Sequence, residues 1–371
     1  MNTNLFIEML QIDSTTGRER SFADFLAERL QTSSCRVERF DVEAMAADAP
    51  EGAGCPQNIL FSWGEPRVLF CTHLDTVPPY ISPSYDGDLV RGRGTCDAKG
   101  QIFAMYEACL ELEGRGCEGF GLLLLAGEET GSFGAKAFRE AHPGAEWVVV
   151  GEPTDNYMAS AAKGTKSFEV TFKGESFHSG YPQYGSSAIL MFNDFVNALR
   201  SIGFPQCEIL GDTTWNIGKL SSDNPQNILS DKLTCRVYFR TTYESDEMVC
   251  NIMKNIAGPD ARLRFGRPKV QDGSDIVAKE VAPWQKAMSV VAFGGDSPTR
   301  FEVLEGFPTK PVAFGSDAPR LTNCPKKILC GPGSILVAHR DNEHITLSDL
   351  EVAVENYIKI YERLRSVPKI D

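Results

Sequence analysis

The apolar positions of this chain change period along its length, and the changes mark out its elements. Residues 4 to 31 carry apolar side chains at helical spacing. "CRVERFDV" then reads as a strand, and "QNILFSW" and "RVLFCTHLD" as a paired strand and a buried strand. "DAKGQIFAMYEACLELEG" has the period of an amphipathic helix that stops at Gly114. The strand "GFGLLLLAGEE", the helix "GAKAFREAHPG" and the strand "WVVVGEP" follow. Strands alternating with helices predict an α/β fold, a mostly parallel sheet flanked by helices.

From residue 164 the pattern is different. "KSFEVTFKGES" alternates like a half-exposed strand, and "SSAILMFNDFVNALRSI" reads as a helix. Two strands, "TTWNIGKL" and "KLTCRVYFRTT", come next, then the helix "SDEMVCNIMKNIA" and the strand "ARLRFGR". This order predicts a small inserted α+β unit with an open sheet. From about residue 275 longer helices are expected again, with "FPTKPVAFG" as a strand and "ITLSDLEVAVENYIKIYERLR" as a closing helix. The expected division is a discontinuous domain, 1–163 with 274–371, interrupted by an insert at 164–273.

Composition narrows the partners more than the fold. The 371 residues are 42% hydrophobic and 23% charged, as in an ordinary globular chain. A net charge of −13 argues against nucleic acid and anionic membrane surfaces. There is no run long and apolar enough for a membrane span, and the N-terminus lacks the layout of a signal peptide. The 11 cysteines form no C-x-x-C pair, and several, such as Cys71 and Cys109, sit in apolar runs. Reduced core cysteines in a cytoplasmic protein are expected.

Functional residues of open α/β sheets collect at the carboxyl ends of strands. "RVLFCTHLDTVPP" puts His73 and Asp75 at such an end, and "GRGTCDAKG" puts Asp97 just before a helix. "GLLLLAGEETG" ends in Glu128 and Glu129, and "WVVVGEPTD" reaches Glu152. Late in the chain, "GPGSILVAHRDNEHI" supplies His339. Each has a plain structural reading on its own: a common H-x-D, a helix N-cap, a solvated turn, a loop acid. Together they put ionisable groups at the ends of three apolar strands, where charge is costly without a counter-charge. Mixed nitrogen and oxygen donors of this kind suit Zn²⁺, with Co²⁺ or Mn²⁺ also acceptable.

The motifs "THLDTVP", "GRGTCDAKG", "AGEETGSFGA", "GEPT", "FHSGYPQYGSSAI" and "GPGSILVAHRDNE", in this order, resemble one metallopeptidase family. It includes acetylornithine deacetylase, succinyl-diaminopimelate desuccinylase, aminoacylase and carboxypeptidase G, and the resemblance spans nearly the whole chain. It implies two divalent metal ions, with His73 on one, Asp97 bridging, Glu129 and His339 on the other, and Glu152 beside His73. It implies that Asp75 takes the second ring N–H of His73, fixing its tautomer. Glu128 would stay off the metals as the proton-transferring acid. His178 would donate to the oxygen that gains charge, commonly in the other subunit of a homodimer. His142 and His344 read as surface residues.

The stretch "FGSDAPRLTNCPKKILCGPGSILVAHRDNE" looks most like the acetylornithine deacetylases, while its "SD" and Arg320 lean toward the desuccinylases. The expected substrate is therefore an N-acyl amino acid, an N-acetyl- or N-succinyl-ornithine of arginine biosynthesis. Arg320, Arg240 and Asn227 are the substrate-binding candidates. Arg240 departs from the family pattern, because Tyr238 stands where many relatives carry an acid. The alternatives are a succinyl-diaminopimelate desuccinylase, a peptidase or carboxypeptidase acting on short peptides, and, from another class, a catalytically silent metal-binding or dimerisation protein.

Overall fold

The computed structural model describes residues 1–46, 50, 52–265 and 280–368. The chain divides into two compact units. The first comprises Met1–Ser160, Arg300–Val312 and Ser316–Asp371; the second comprises Ala161–Thr299 and Ala313–Gly315.

The first unit is built on a six-stranded sheet. Its spatial order is Arg36–Asp41, Gln57–Trp63, Phe120–Leu125, Val68–His73, Trp147–Val150 and Lys326–Leu329. The first two pairings are antiparallel. The last three, which unite the strands that carry the candidate site, are parallel. The inner strands read "FGLLLL" and "VLFCTH", and every residue in them is buried. Such continuous apolar runs are what a sheet covered on both faces requires. Helix Lys99–Gly114 and the closing helix Leu347–Ser366 pack on this core, where Tyr357 donates to the Cys330 carbonyl at 3.0 Å.

The expected helix over residues 4 to 31 is two helices, Thr3–Leu10 and Glu19–Arg29. The break follows from local chemistry. Gly17 has φ 91°, and the backbone of 14–16 pairs with Thr76: Thr76 N–H donates to Ser14 O at 3.0 Å, and Thr16 N–H donates to Thr76 O at 3.1 Å. Tertiary pairing at the end of the His73 strand thus outweighs continued helix. A small sheet of Ser84–Asp86, Leu89–Arg91 and His344–Thr346 escapes the sequence pattern, because three-residue strands leave almost no periodic trace.

The second unit carries an antiparallel sheet ordered Thr214–Ser221, Lys232–Thr241, Gly164–Lys173 and Met288–Gly294. Gly164–Lys173 alternates buried and half-buried residues, and helices Ala188–Arg200 and Asp246–Asn255 cover its apolar face around Phe168, Phe172, Phe195 and Phe239. The fourth strand is not the expected "ARLRFGR". Residues 261–265 of that stretch are irregular and the rest lies outside the described residues, as does the 273/274 division. Of the longer helices expected from about residue 275, the closing one is Leu347–Ser366, and none lies among the described residues 280–299. A short helix, Pro283–Lys286, leads straight into the Met288–Gly294 edge strand.

Candidate metal centre

The site lies at the carboxyl ends of the parallel strands of the first unit. His73 closes its own strand and stands in register with Leu125, three residues before Glu128. Asp97 precedes helix Lys99–Gly114, with a cis peptide to Ala98. Glu129 sits in a turn that Gly127, at φ 70°, allows the chain to enter. His339 has φ 64°, an uncommon left-handed backbone for a non-glycine residue.

These residues converge. Single donor atoms of His73, Asp97 and Glu129 all lie within 4.8 Å of one another. His73 Nε2 is 2.9 Å from Asp97 Oδ1, and His339 Nε2 is 3.2 Å from Asp97 Oδ2 and 3.0 Å from Glu129 Oε1. Asp97 therefore presents one carboxylate oxygen to each histidine. Glu152 is buried beside them, and its charge acts on His73 and Asp97, though it forms no part of the tight triad.

Asp75 approaches His73 through two groups. His73 Nδ1 lies 2.9 Å from the main-chain carbonyl of Asp75, whereas the carboxylate Oδ1 is 3.5 Å away. The tautomer is still fixed, since Nδ1 donates and leaves Nε2 free to act as a donor atom for a metal. The Asp75 carboxylate has another use. It accepts the backbone N–H of Glu128 at 3.0 Å, that of Glu129 at 3.2 Å and the Thr16 hydroxyl at 2.9 Å. It thereby orients the Glu128–Glu129 turn. No sequence motif points to this role, because the partners are backbone groups.

The electrostatics fit a cation. Burial pushes Asp97 up, but hydrogen bonds from His339 and His73 outweigh it and hold its carboxyl below the usual range. The carboxylates of Asp97 and Glu129 lift His339 to about 10. Burial raises Glu128 and Glu152 well above ordinary carboxylates, with Asp317 adding to both. Asp75, Asp97, Glu128, Glu129 and Glu152, with Asp317 acting on two of them, gather about the imidazoles of His73 and His339. Divalent ions held at these donors would supply the counter-charge that such a cluster of acids needs. The N/O donor set suits Zn²⁺, Co²⁺ or Mn²⁺.

The remaining candidates are distributed differently. Arg320 lies in the first unit, on the turn Ala318–Arg320. His178, Asn227 and Arg240 belong to the second unit. There, Ser179 N–H donates to Asn227 O at 2.9 Å, so the His178 and Asn227 loops are joined. Of the two histidines read as surface residues, His142 is half-buried and stacked on Phe138 at 4.7 Å.

Candidate metal ligands at the strand ends of such a sheet, with an acid beside them, are the arrangement a metallohydrolase needs. The chain belongs to the peptidase family M20/M25/M40, whose model matches residues 69–363. A relative from Aspergillus niger, named "Probable carboxypeptidase", is 31% identical over 397 residues, covering 96% of this chain and 88% of its own. The structure of a Staphylococcus aureus tripeptidase aligns with a TM-score of 0.76 at 20% identity, over 98% of both chains. A Bacillus subtilis protein described as a dinuclear metal-binding peptidase of the M20 family aligns at 0.65 and 12% identity, over 98% of both chains. Those two likenesses speak to the fold. Among the described residues, no helix is long and apolar enough to cross a membrane.

Proposed function

We propose that this chain is a dinuclear metal-dependent amidohydrolase that removes the acyl group from an N-acyl amino acid. The substrate that the sequence resemblance favours is N-acetyl- or N-succinyl-ornithine, in arginine biosynthesis. One observation carries the hydrolytic reading: His73, Asp97, Glu129 and His339 gather their donor atoms while the neighbouring Glu128 is left out of their contacts. His73, Asp97, Glu129, Glu152 and His339 would hold the ions. When bound, divalent ions polarise the scissile carbonyl and acidify the attacking water.

Glu128 takes the proton of the attacking water and returns it to the leaving amine. Asp75, by gripping the N–H groups of Glu128 and Glu129, keeps the base and the ligand on fixed headings. His178 is exposed, and its Nδ1 accepts from Gly180 N–H at 3.1 Å. That hydrogen bond puts the ring proton on Nε2, a donor suited to the oxyanion of a tetrahedral intermediate. The homodimer implied by the family resemblance would bring this histidine to the site of the other copy. Arg240 Nη1 is buried without a hydrogen-bond partner among the described residues, which suits it to a substrate carboxylate. Arg320 and Asn227 are further candidates for that contact.

A second reading is favoured by the Aspergillus relative, named a carboxypeptidase at 31% identity. The bond cleaved is of the same kind, an amide whose nitrogen belongs to an amino acid with a free carboxylate. Only the acyl side differs, a small acyl group in one case and a peptide in the other. Steady-state kinetics with Zn²⁺ or Co²⁺ on N-acetylornithine, N-succinylornithine, succinyl-diaminopimelate and dipeptides separates them. The first reading expects the highest kcat/KM on an acylornithine. Preference for dipeptides replaces it with the second. No hydrolysis of any amide with metal bound would leave only the silent metal-binding protein.

A further inference from the structure

The motif "AHRDNE" ends in Glu343, a carboxylate with no part in the hydrolysis described above. It is buried, at 1% exposure, and so is Arg93, also at 1%. Glu343 Oε1 accepts three N–H groups of one loop: Gly94 at 3.0 Å, Cys96 at 3.1 Å and Asp97 at 3.1 Å. Its other oxygen takes Arg93 Nη1 at 2.6 Å. The same Arg93 nitrogen donates to Arg340 O at 3.2 Å, and Arg93 Nε donates to Pro79 O at 3.3 Å. The main chain closes the join, with Gly92 N–H on Glu343 O at 3.0 Å and Arg91 in register with His344.

The consequence is geometric. Asp97 comes from the loop before helix Lys99–Gly114, and His339 from a loop about 240 residues later in the chain. Nothing local relates their positions. Glu343 holds the backbone N–H of Asp97 itself, and its ion-pair partner Arg93 holds the carbonyl of Arg340, the residue after His339. One buried pair thus indexes both loops to each other.

We propose that Glu343, paired with Arg93, is a positioning residue for the metal centre, setting the distance between Asp97 and His339 so that both reach one ion. This rests on the reading of that cluster as a metal site. Glu343 touches no donor atom, so it acts only through the loops it fixes. Groups that orient ligands in this way typically change metal affinity by 10–100-fold when altered.

The test is titration with Co²⁺ alone, followed by its visible absorption, on the wild type, Glu343→Gln and Arg93→Lys, with far-UV circular dichroism to establish folding. The glutamine side chain is isosteric with the native acid but cannot pair with the Arg93 charge. The lysine side chain keeps the positive charge of the native arginine and loses the contacts to Pro79 and Arg340. Glu343→Gln is expected to bind Co²⁺ about 10–100-fold more weakly with an altered band shape, and Arg93→Lys to weaken it by a smaller factor. A folded Glu343→Gln with wild-type affinity and spectrum overturns the proposal. Should that variant not fold, wild-type affinity in Arg93→Lys overturns it instead, and weakened affinity supports it. A wild type that binds no Co²⁺ overturns the metal-centre reading itself, a result distinct from any difference among the variants.

Discussion

Glu128 and Glu129 sit side by side in one turn, with their N–H groups on the two oxygens of Asp75, yet only Glu129 reaches His339. Their substitutions should therefore separate. Glu128→Gln is expected to lower kcat by about 10²–10⁴-fold with metal content unchanged. Glu129→Ala should lower metal content instead. If both variants lose metal alike, the division of roles is wrong. Another buried acid offers a pH test. Glu19 is fully buried, and burial, reinforced by the charge of Asp75, raises its carboxyl to about 8. Folding thus favours its protonated form. The resulting stability is fully present below about 4.5, declines as pH rises, and is lost by about 8. Glu19→Gln should gain on the wild type by about 1.4 kcal/mol per pH unit across that window. Urea melts at pH 5 and pH 8 measure this, and a constant difference between the two proteins would refute it. At this scale the sequence was informative wherever a charged side chain ends an apolar strand, as at His73, Glu129 and Glu152. It was silent where side chains work on backbone: the Asp75 carboxylate, the Asp75 carbonyl under His73, and Glu343.

The elements that carry the site were legible because their strands are continuous apolar runs bounded by glycine and acids. The strands Val68–His73, Phe120–Leu125 and Trp147–Val150 lie where the apolar pattern puts them. What the pattern could not reveal is non-local. The 4–31 helix is interrupted by pairing with Thr76, and the second unit's edge strand comes from Met288–Gly294, far along the chain from its neighbour Gly164–Lys173. Close packing between elements gives its own prediction. A Cβ on Gly100, in the first turn of helix Lys99–Gly114, would lie 2.2 Å from the Thr95 carbonyl oxygen. Backbone cannot rotate away as a side chain can, so Gly100→Ala must displace the 95–97 loop. The expected cost is about 1–3 kcal/mol of stability, with weakened metal binding. Unchanged melting temperature and metal affinity would contradict that packing.

For the molecule as a whole, ions and assembly decide the behaviour to expect. A chelator should lower the melting temperature, because ions that bind only the folded chain stabilise it by mass action and relieve crowded carboxylates. An identical melting curve after chelation and after Zn²⁺ loading would refute this. If the chain is a homodimer in which His178 serves the other copy, His178→Ala should cost about 10²–10³-fold in kcat. Mixing it with an inactive Asp97→Ala chain, with subunit exchange, should then restore activity that neither has alone. No recovery after demonstrated exchange would refute a contribution across subunits, and an unchanged kcat in His178→Ala would place it outside the reaction. The homodimer is an expectation of the family resemblance alone, since exposed apolar residues such as Leu190 and Phe293 do not name what covers them.

Elemental analysis of the folded chain after Zn²⁺ loading and removal of free metal tests the central claim most directly. The wild type should retain about two ions per chain, as a two-metal hydrolase does, and Asp97→Ala, still folded, should retain almost none. A wild type that keeps no metal, or an Asp97→Ala that keeps as much as the wild type, would contradict it.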